Sequence, residues 1–154
     1  MPLWQIYHPA GTFTTVVSKQ ALVDSVVPIY TGKDGAGLPA FYVVTHFYEL
    51  PPSKTFMGTT PDTSLAKPFI RIVITHIAVK MPDELQYHRS FTRKVDQALK
   101  PHVEDMGYDW EYHIAETERG LWKINGLVPP PWRSEEERVW AREGRAVEYV
   151  GSEG

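Results

Sequence analysis

The chemistry that this sequence can support begins at its second residue. Pro2 follows Met1, and removal of a methionine that precedes proline would leave a secondary amine at the chain end. An α-amino group titrates at about 8 in model peptides, and burial or a nearby cation lowers that pKa toward neutrality. An amine that is neutral at pH 7 can accept a proton. Pro2 is therefore the first candidate for a catalytic base, and this chemistry needs no cofactor.

The remaining composition narrows the chemistry further. The chain lacks cysteine, which excludes disulfides, thiolate catalysis and cysteine-ligated zinc. The histidines other than His76 have no metal-ligand spacing, and HExxH, Gly-rich phosphate and Gly-x-Ser-x-Gly motifs are absent, so we expect no metal and no nucleotide. The formal charge is −3 with both signs interspersed, which disfavours nucleic acid as a partner. With no signal-like or membrane-spanning run, the sequence predicts a soluble, cytoplasmic protein with no membrane partner.

Two residues within the apolar run 69–79, which is predicted to be a strand, are also candidates for the site. Arg71 lies in an otherwise apolar run, where an unpaired charge would cost several kcal/mol, so it must meet an acid, a subunit boundary or a substrate. His76 lies further along the same run. It is predicted either as a hydrogen-bonded core residue or as a group that binds substrate.

The hydrophobic pattern predicts a first β-α-β unit over residues 2–49. A strand over 3–8 starts almost at the amino terminus, and a helix follows from Thr14 until Pro28 ends or kinks it. The second predicted strand covers residues 40–48. Its residues are β-branched or aromatic on both faces, which is typical of a strand buried on both sides. The connector, 50–67, is rich in Pro, Thr and Ser and predicts a loop or a small surface hairpin.

A second unit of the same design is predicted over residues 68–116. Its strands cover 69–79 and 109–115. Its helix begins at Pro82 with acidic residues in the first turn and kinks at Pro101.

The C-terminal segment, 117–154, begins as an irregular loop. Ser134 and Glu137 then form a capping-box pattern for a short helix that ends near Glu143. We expect this tail to pack on a neighbouring subunit or over the site, and we expect the whole chain, 1–154, to be one domain.

The fold class predicted from this organisation is α+β. Each crossover makes the two strands of its unit parallel, and the two units can join into one four-stranded sheet with both helices on one face. Because both faces of the sheet carry apolar residues, we expect other subunits to cover the second face.

The order of these elements and several short segments resemble the tautomerase superfamily. The segments are 2–7, 41–47, 56–58, 110–112 and 127–129. Over roughly residues 2–131 the chain is similar to cis-3-chloroacrylic acid dehalogenase and the related fungal proteins of the cis-CaaD-like family. The resemblance implies the tautomerase fold, a homotrimer and a catalytic role for Pro2.

Further site residues follow only from this resemblance. Tyr112 matches the tyrosine that positions or activates water in the dehalogenase. The histidine of the family's first helix is replaced by Val26 or Val27, and Lys80 is the cation where two arginines are expected. Lys123 aligns approximately with the water-activating glutamate. The resemblance therefore leaves Lys80 and Lys123 to bind a substrate carboxylate.

Three functions remain open from the sequence. The first is an isomerase that moves a proton on a small 2-oxo acid or its enol, with Pro2 as the base. The second is a hydratase or hydrolytic dehalogenase of an unsaturated acid, in which Pro2 is the acid and Tyr112 orients water. The third is a non-catalytic oligomeric binding protein that keeps Met1, whose amide bond would remove the basicity of Pro2.

Overall fold

A computed structural model describes residues 1–32, 36–77 and 80–153. Six strands and three α-helices are present in this part of the chain. They are β1 (Pro2–Pro9), α1 (Val16–Thr31), β2 (Val44–Leu50), β3 (Phe56–Met57), β4 (Thr60–Pro61), β5 (Phe69–Ile77), α2 (Leu85–Leu99), β6 (Asp109–Thr117) and α3 (Glu135–Glu143). None of the helices in the described ranges is long and apolar enough to cross a membrane.

The main sheet has four strands in the order β2-β1-β5-β6. The strands of each β-α-β unit are parallel to each other, and the two units meet where β1 and β5 pair in antiparallel fashion. The predicted α+β class, with two tandem units in one sheet and a short C-terminal helix, is confirmed. The connector also contains the small hairpin that its composition predicted, formed by β3 and β4.

Alternation along the two central strands separates a core face from an open face. Trp4 and Ile6 of β1 and Ile72 of β5 are fully buried, and Leu22 and Leu99 reach this core from the two long helices. Burying each such side chain stabilises the fold by about 1.5–3 kcal/mol. The intervening residues, which include Gln5 and Arg71, are only partly covered in a single chain.

The predicted strand over 40–48 is wrong at both of its ends. Residues Ala40–Tyr42 form a 3-10 turn, and β2 starts only at Val44. The strand lies at the edge of the sheet, and His46 and Tyr48 on its open face are exposed. The aromatic composition of the segment therefore reflects two different environments rather than one strand with two buried faces.

The helices differ from the expectation at their ends. Helix α1 begins at Val16, which is 81% exposed, and it continues through Pro28 to Thr31. Asp83 and Glu84 precede α2, so the predicted acidic first turn is also wrong. The helix ends at Leu99, where a 3-10 turn containing Pro101 takes over. Residues 78 and 79 of the predicted third strand lie outside the described residues.

The C-terminal tail folds back onto its own chain. Ser134 caps α3 by accepting a hydrogen bond from the backbone N–H of Glu137 at 3.2 Å, as the capping-box pattern predicted. The carboxylate of Glu137 reaches back to the backbone N–H of Arg133, at 2.6 Å, rather than to Ser134. Trp140 of α3 is buried against Tyr42, which ties the tail to the first β-α-β unit.

Candidate active site

A cavity of about 490 Å³ lies where β1 begins and β5 ends. Pro2, the first residue of β1, pairs directly with His76 of β5 and is buried. The backbone of Met1 continues this pairing, since its carbonyl accepts a hydrogen bond from Ile77 at 2.7 Å. The predicted base is thus placed in the wall of a cavity of the size that small ligands occupy.

The amino group at this end of the chain has a strongly lowered pKa. Burial is the main cause, and the guanidinium of Arg119 adds to it, so that the pKa of the Met1 amine falls from 8.0 to about 5. Glu137 acts in the opposite direction. The surroundings of the chain end therefore favour a neutral amine at pH 7.

Arg119 and Glu137 are functional candidates that the sequence did not reveal. Arg119 lies in the irregular loop after β6, where its guanidinium donates hydrogen bonds to the carbonyl oxygens of Pro129 (3.0 Å) and Pro130. Glu137 is 4% exposed on α3, and burial raises its pKa. Both lie far along the chain from Pro2, and their charges act on the chain end only because the tail folds back.

A hydrogen-bonded chain of three side chains runs through the core to the cavity. The indole N–H of Trp4 donates to the hydroxyl of Tyr30 at 3.1 Å, and that hydroxyl is 3.1 Å from Nε2 of His76. Tyr30 and His76 line the cavity and are 4% and 5% exposed. Burial, followed by the positive charge of the chain end, lowers the pKa of His76 from 6.5 to about 4. His76 is therefore a neutral imidazole at pH 7.

The cavity combines apolar walls with cations. Ile29, Leu38 and Phe91 supply apolar surface, and Lys80 and Arg133 are among the residues that line the cavity. The ammonium of Lys80 forms an exposed ion pair with Glu118 at 2.5 Å, which a carboxylate ligand can compete for in water. Such a site suits a small molecule with an apolar body and a carboxylate.

A second cation of the cavity is held by an aromatic ring. The guanidinium of Arg133 lies 4.3 Å from the ring centre of Trp132. The indole N–H of Trp132 donates to the carbonyl of Ala36 at 2.8 Å, which joins the C-terminal segment to the loop after α1. The predictions did not include Arg133, because nothing in the local sequence distinguishes it from other charged residues of the tail.

The structure does not bring all of the predicted residues together. Pro2, His76 and Lys80 line the cavity, whereas Arg71, Tyr112 and Lys123 are not among the described residues that do so. Arg71 faces the open side of the sheet, where it forms an ion pair with Glu111. It therefore meets an acid, one of the alternatives that its position in an apolar strand had left open.

Tyr112 lies in the middle of β6, on the face that carries the helices. Its hydroxyl donates to the carboxylate of Asp96 on α2 at 2.8 Å. Within one chain, therefore, this hydroxyl is already engaged and does not reach Pro2. Lys123 lies exposed in the loop that follows β6.

Comparison with known proteins identifies the family. Residues 1–145 match the family model described as "Putative oxalocrotonate tautomerase enzyme". The chain belongs to this tautomerase family. It is 35% identical to native RhCC from Rhodococcus jostii RHA1, covering 96% of this chain and 99% of that one with a TM-score of 0.86. It is 40% identical to a probable enzyme from the thermophilic fungus Aspergillus fumigatus, covering 97% and 98% of the two chains with a TM-score of 0.85.

More distant tautomerases share the fold alone. The native fused 4-OT is 16% identical, with a TM-score of 0.60 over 82% of this chain and 94% of that one. The comparison with curated proteins found no significant match to this chain. These structural matches confirm the predicted tautomerase fold. The description of the matching family as an enzyme family supports an enzymatic role.

Proposed function

We propose that this tautomerase moves a proton between oxygen and carbon of a small 2-oxo acid or its enol, with the amino group of Pro2 as the base once Met1 is removed. The observation that carries the proposal is the position of Pro2. It begins β1 in the wall of the cavity, at a chain end where burial and Arg119 lower the pKa of an amine. A base with a pKa near or below neutrality is free to act at pH 7.

The reaction is a balanced isomerisation that needs no other reactant. The neutral nitrogen of Pro2 takes the proton from the enol hydroxyl, and the electrons of the broken O–H bond stay on the oxygen, which gives the enolate. The electrons of the carbon-carbon double bond then take a proton from the Pro2 ammonium to form the new C–H bond, while an electron pair of the enolate oxygen forms the carbonyl. Pro2 returns to its neutral form, so one group serves as base and acid in turn.

The walls of the cavity support a carboxylate substrate. Lys80 and Arg133 place positive charge among its lining residues, and a charge-assisted hydrogen bond to a carboxylate is worth about 1.5–3 kcal/mol. Phe91 and Leu38 provide apolar contacts for the rest of the molecule. We assign no carboxylate contact to Lys123, because it does not line the described cavity.

Water addition to an unsaturated acid is supported less well. That reaction requires a group that positions water, and the resemblance offered Tyr112 for this role. Within the chain the Tyr112 hydroxyl is bonded to Asp96 instead. We therefore propose that the chain shares sequence motifs with the cis-CaaD-like family but does not have the dehalogenase activity.

We propose further that the chain is a homotrimer. Fused 4-OT, whose fold it shares, is described as a symmetric trimer in one structure and as an asymmetric trimer in another. The open sheet face, which includes Leu3, Val73 and Ile77, is only partly covered in one chain. Light scattering should give three times 17.6 kDa at micromolar concentration, and a stable monomer would contradict the assembly.

The experiment that tests the proposed activity compares two forms of the same chain. One is processed to begin at Pro2, and the other retains Met1. Ketonisation of phenylenolpyruvate should proceed with the processed form and fall by about 10²–10⁴-fold when Met1 makes the Pro2 nitrogen an amide. Equal rates would remove Pro2 from the mechanism, and binding without turnover by both forms would favour the non-catalytic alternative.

A further inference from the structure

The chain of hydrogen bonds from Trp4 to His76 has a direction that the chemistry of its members sets. An indole nitrogen can only donate, so the Tyr30 oxygen must accept from Trp4. Nε2 of His76 is then the acceptor for the Tyr30 hydroxyl hydrogen. In the reverse arrangement His76 would donate to Tyr30, and the buried hydroxyl hydrogen would have no acceptor among the described residues, at a cost of about 1–3 kcal/mol.

This direction fixes the tautomer of His76. With Nε2 accepting and the imidazole neutral, the remaining nitrogen, Nδ1, carries the hydrogen. His76 lines the cavity and pairs with Pro2 across the two central strands. The cavity wall therefore contains a neutral N–H donor beside the proposed base.

We propose that Nδ1–H of His76 donates a hydrogen bond to the substrate oxygen that becomes negatively charged in the enolate, and that Tyr30, itself held by Trp4, is the positioning residue that fixes this tautomer. The inference rests on the proposed function and adds the group that stabilises its intermediate. A donor held in place before the reaction stabilises developing charge without reorganisation. A neutral donor also adds no positive charge that would weaken Pro2 as a proton acceptor.

The tautomer itself is measured without any assay of activity. In the processed protein, ¹⁵N NMR of the His76 ring should show a protonated Nδ1 and an unprotonated Nε2. In Tyr30→Phe the ring loses its hydroxyl partner, and we expect a mixture with substantial Nε2–H. A wild-type ring that carries its hydrogen on Nε2, or one unchanged in Tyr30→Phe, would overturn the proposal.

Kinetics then test the contact with the oxygen. Removing one such donor costs about 10²–10³-fold in kcat, so His76→Ala should lose about that much in ketonisation with KM changed by less than about threefold. Tyr30→Phe should lose kcat in proportion to the fraction of His76 that NMR shows with its hydrogen on Nε2, because only the remaining fraction presents the correct donor. Tyr108→Phe, at the opposite end of the sheet, is the matched control and should keep full activity. Wild-type kcat in both site variants would overturn the proposal while leaving Pro2 as the base.

Binding separates failure of this inference from failure of the proposed function. Oxalate is a planar mimic of a 2-oxo acid enolate, and calorimetry measures its affinity whether or not the protein catalyses ketonisation. We expect His76→Ala to weaken oxalate binding by about tenfold or more. If the processed protein does not ketonise enols, the proposed function fails, and an oxalate affinity that is equal in wild type and His76→Ala would overturn the role of His76 as well. Melting temperatures near that of the wild type will show that the variants remain folded.

Discussion

The two central strands of the sheet both begin beside a proline, but the two prolines lie in different surroundings. Pro2 opens β1, and Pro68 directly precedes β5. Because the two strands are antiparallel neighbours, the two prolines lie at opposite ends of the sheet. Pro2 is buried, whereas Pro68 is exposed and its carbonyl accepts a hydrogen bond from the backbone of Asp109 at 2.9 Å.

The difference between the surroundings of Pro2 and Pro68 shows what a β-α-β unit needs in order to support proton transfer at its first residue. The end near Pro68 also has a cavity, of about 630 Å³, but its Lys67 and Asp109 are exposed. The nitrogen of Pro68 is an amide and has no basicity. At the Pro2 end a chain terminus, a buried imidazole and the folded-back tail meet. The two β-α-β units place a proline at or just before the start of each central strand, and in the proposed mechanism only the one at the chain end has a basic nitrogen.

The largest expected effect comes from replacing each proline in turn. Pro2→Ala leaves a primary amine without the ring that fixes the nitrogen at the start of β1, and we expect a loss of about 10² in kcat/KM for ketonisation. Pro68→Ala should stay within about twofold. A loss in the second variant as large as in the first would mean that the two ends of the sheet are functionally linked.

The buried imidazole should make the Pro2 end sensitive to acid. The pKa of His76 is lowered from 6.5 to about 4, so the folded state binds fewer protons than the unfolded state between these values. Its contribution to stability is complete above pH 6.5 and is lost as pH falls toward 4, by up to about 3 kcal/mol. Urea unfolding at pH 7 and pH 4.5 measures this loss. It should be smaller in His76→Gln and unchanged in His46→Gln, and equal losses in all three proteins would contradict it.

Two lysines extend the comparison to substrate binding. Lys80 lines the Pro2 cavity and Lys67 the opposite one. If Lys80 binds the substrate carboxylate, Lys80→Ala should raise KM by about tenfold or more, which corresponds to 1.5–3 kcal/mol. Lys67→Ala should not change KM. Steady-state kinetics with phenylenolpyruvate measure KM for both variants. An unchanged KM for Lys80→Ala would mean that the substrate carboxylate binds to another part of the cavity.

The smallest effect is expected at Tyr112. Tyr112→Phe removes one hydrogen bond to Asp96 and should lower the free energy of unfolding by about 1 kcal/mol. Ketonisation needs no positioned water and should stay within about twofold. Hydration of an unsaturated acid, assayed in parallel, is the reaction that loss of the hydroxyl would reduce further. A large fall in the ketonisation rate of Tyr112→Phe would mean that Tyr112 takes part in the proton-transfer step.

The sequence predicted the sheet and its topology better than the complete site. The alternation in β1 and β5 follows from burial of one face, which acts residue by residue and is visible in the pattern. Arg119 and Glu137 escaped prediction because their effect on the chain end depends on where a long irregular loop and the last helix fold. The hydrogen bond between Tyr30 of α1 and His76 of β5 also escaped prediction, because it joins two elements that local periodicity cannot relate.

Errors at the element boundaries have physical causes too. Phe41 and Tyr42 have high β-propensity, yet they pack against the core from a 3-10 turn, with Tyr42 against Trp140. Pro28 was predicted to end or kink α1, and the helix continues for only three residues beyond it, to Thr31.

The central claim is that the Pro2 amine is neutral at pH 7 and acts as the base. The most direct measurement is the titration of ¹⁵N-labelled Pro2 in the processed protein, beside the pH dependence of kcat/KM for ketonisation. We predict an amine pKa well below 8 and a rate that rises with pH through that same pKa before reaching a plateau. An amine that titrates at about 8 or above, or a rate that does not follow its ionisation, would contradict the account.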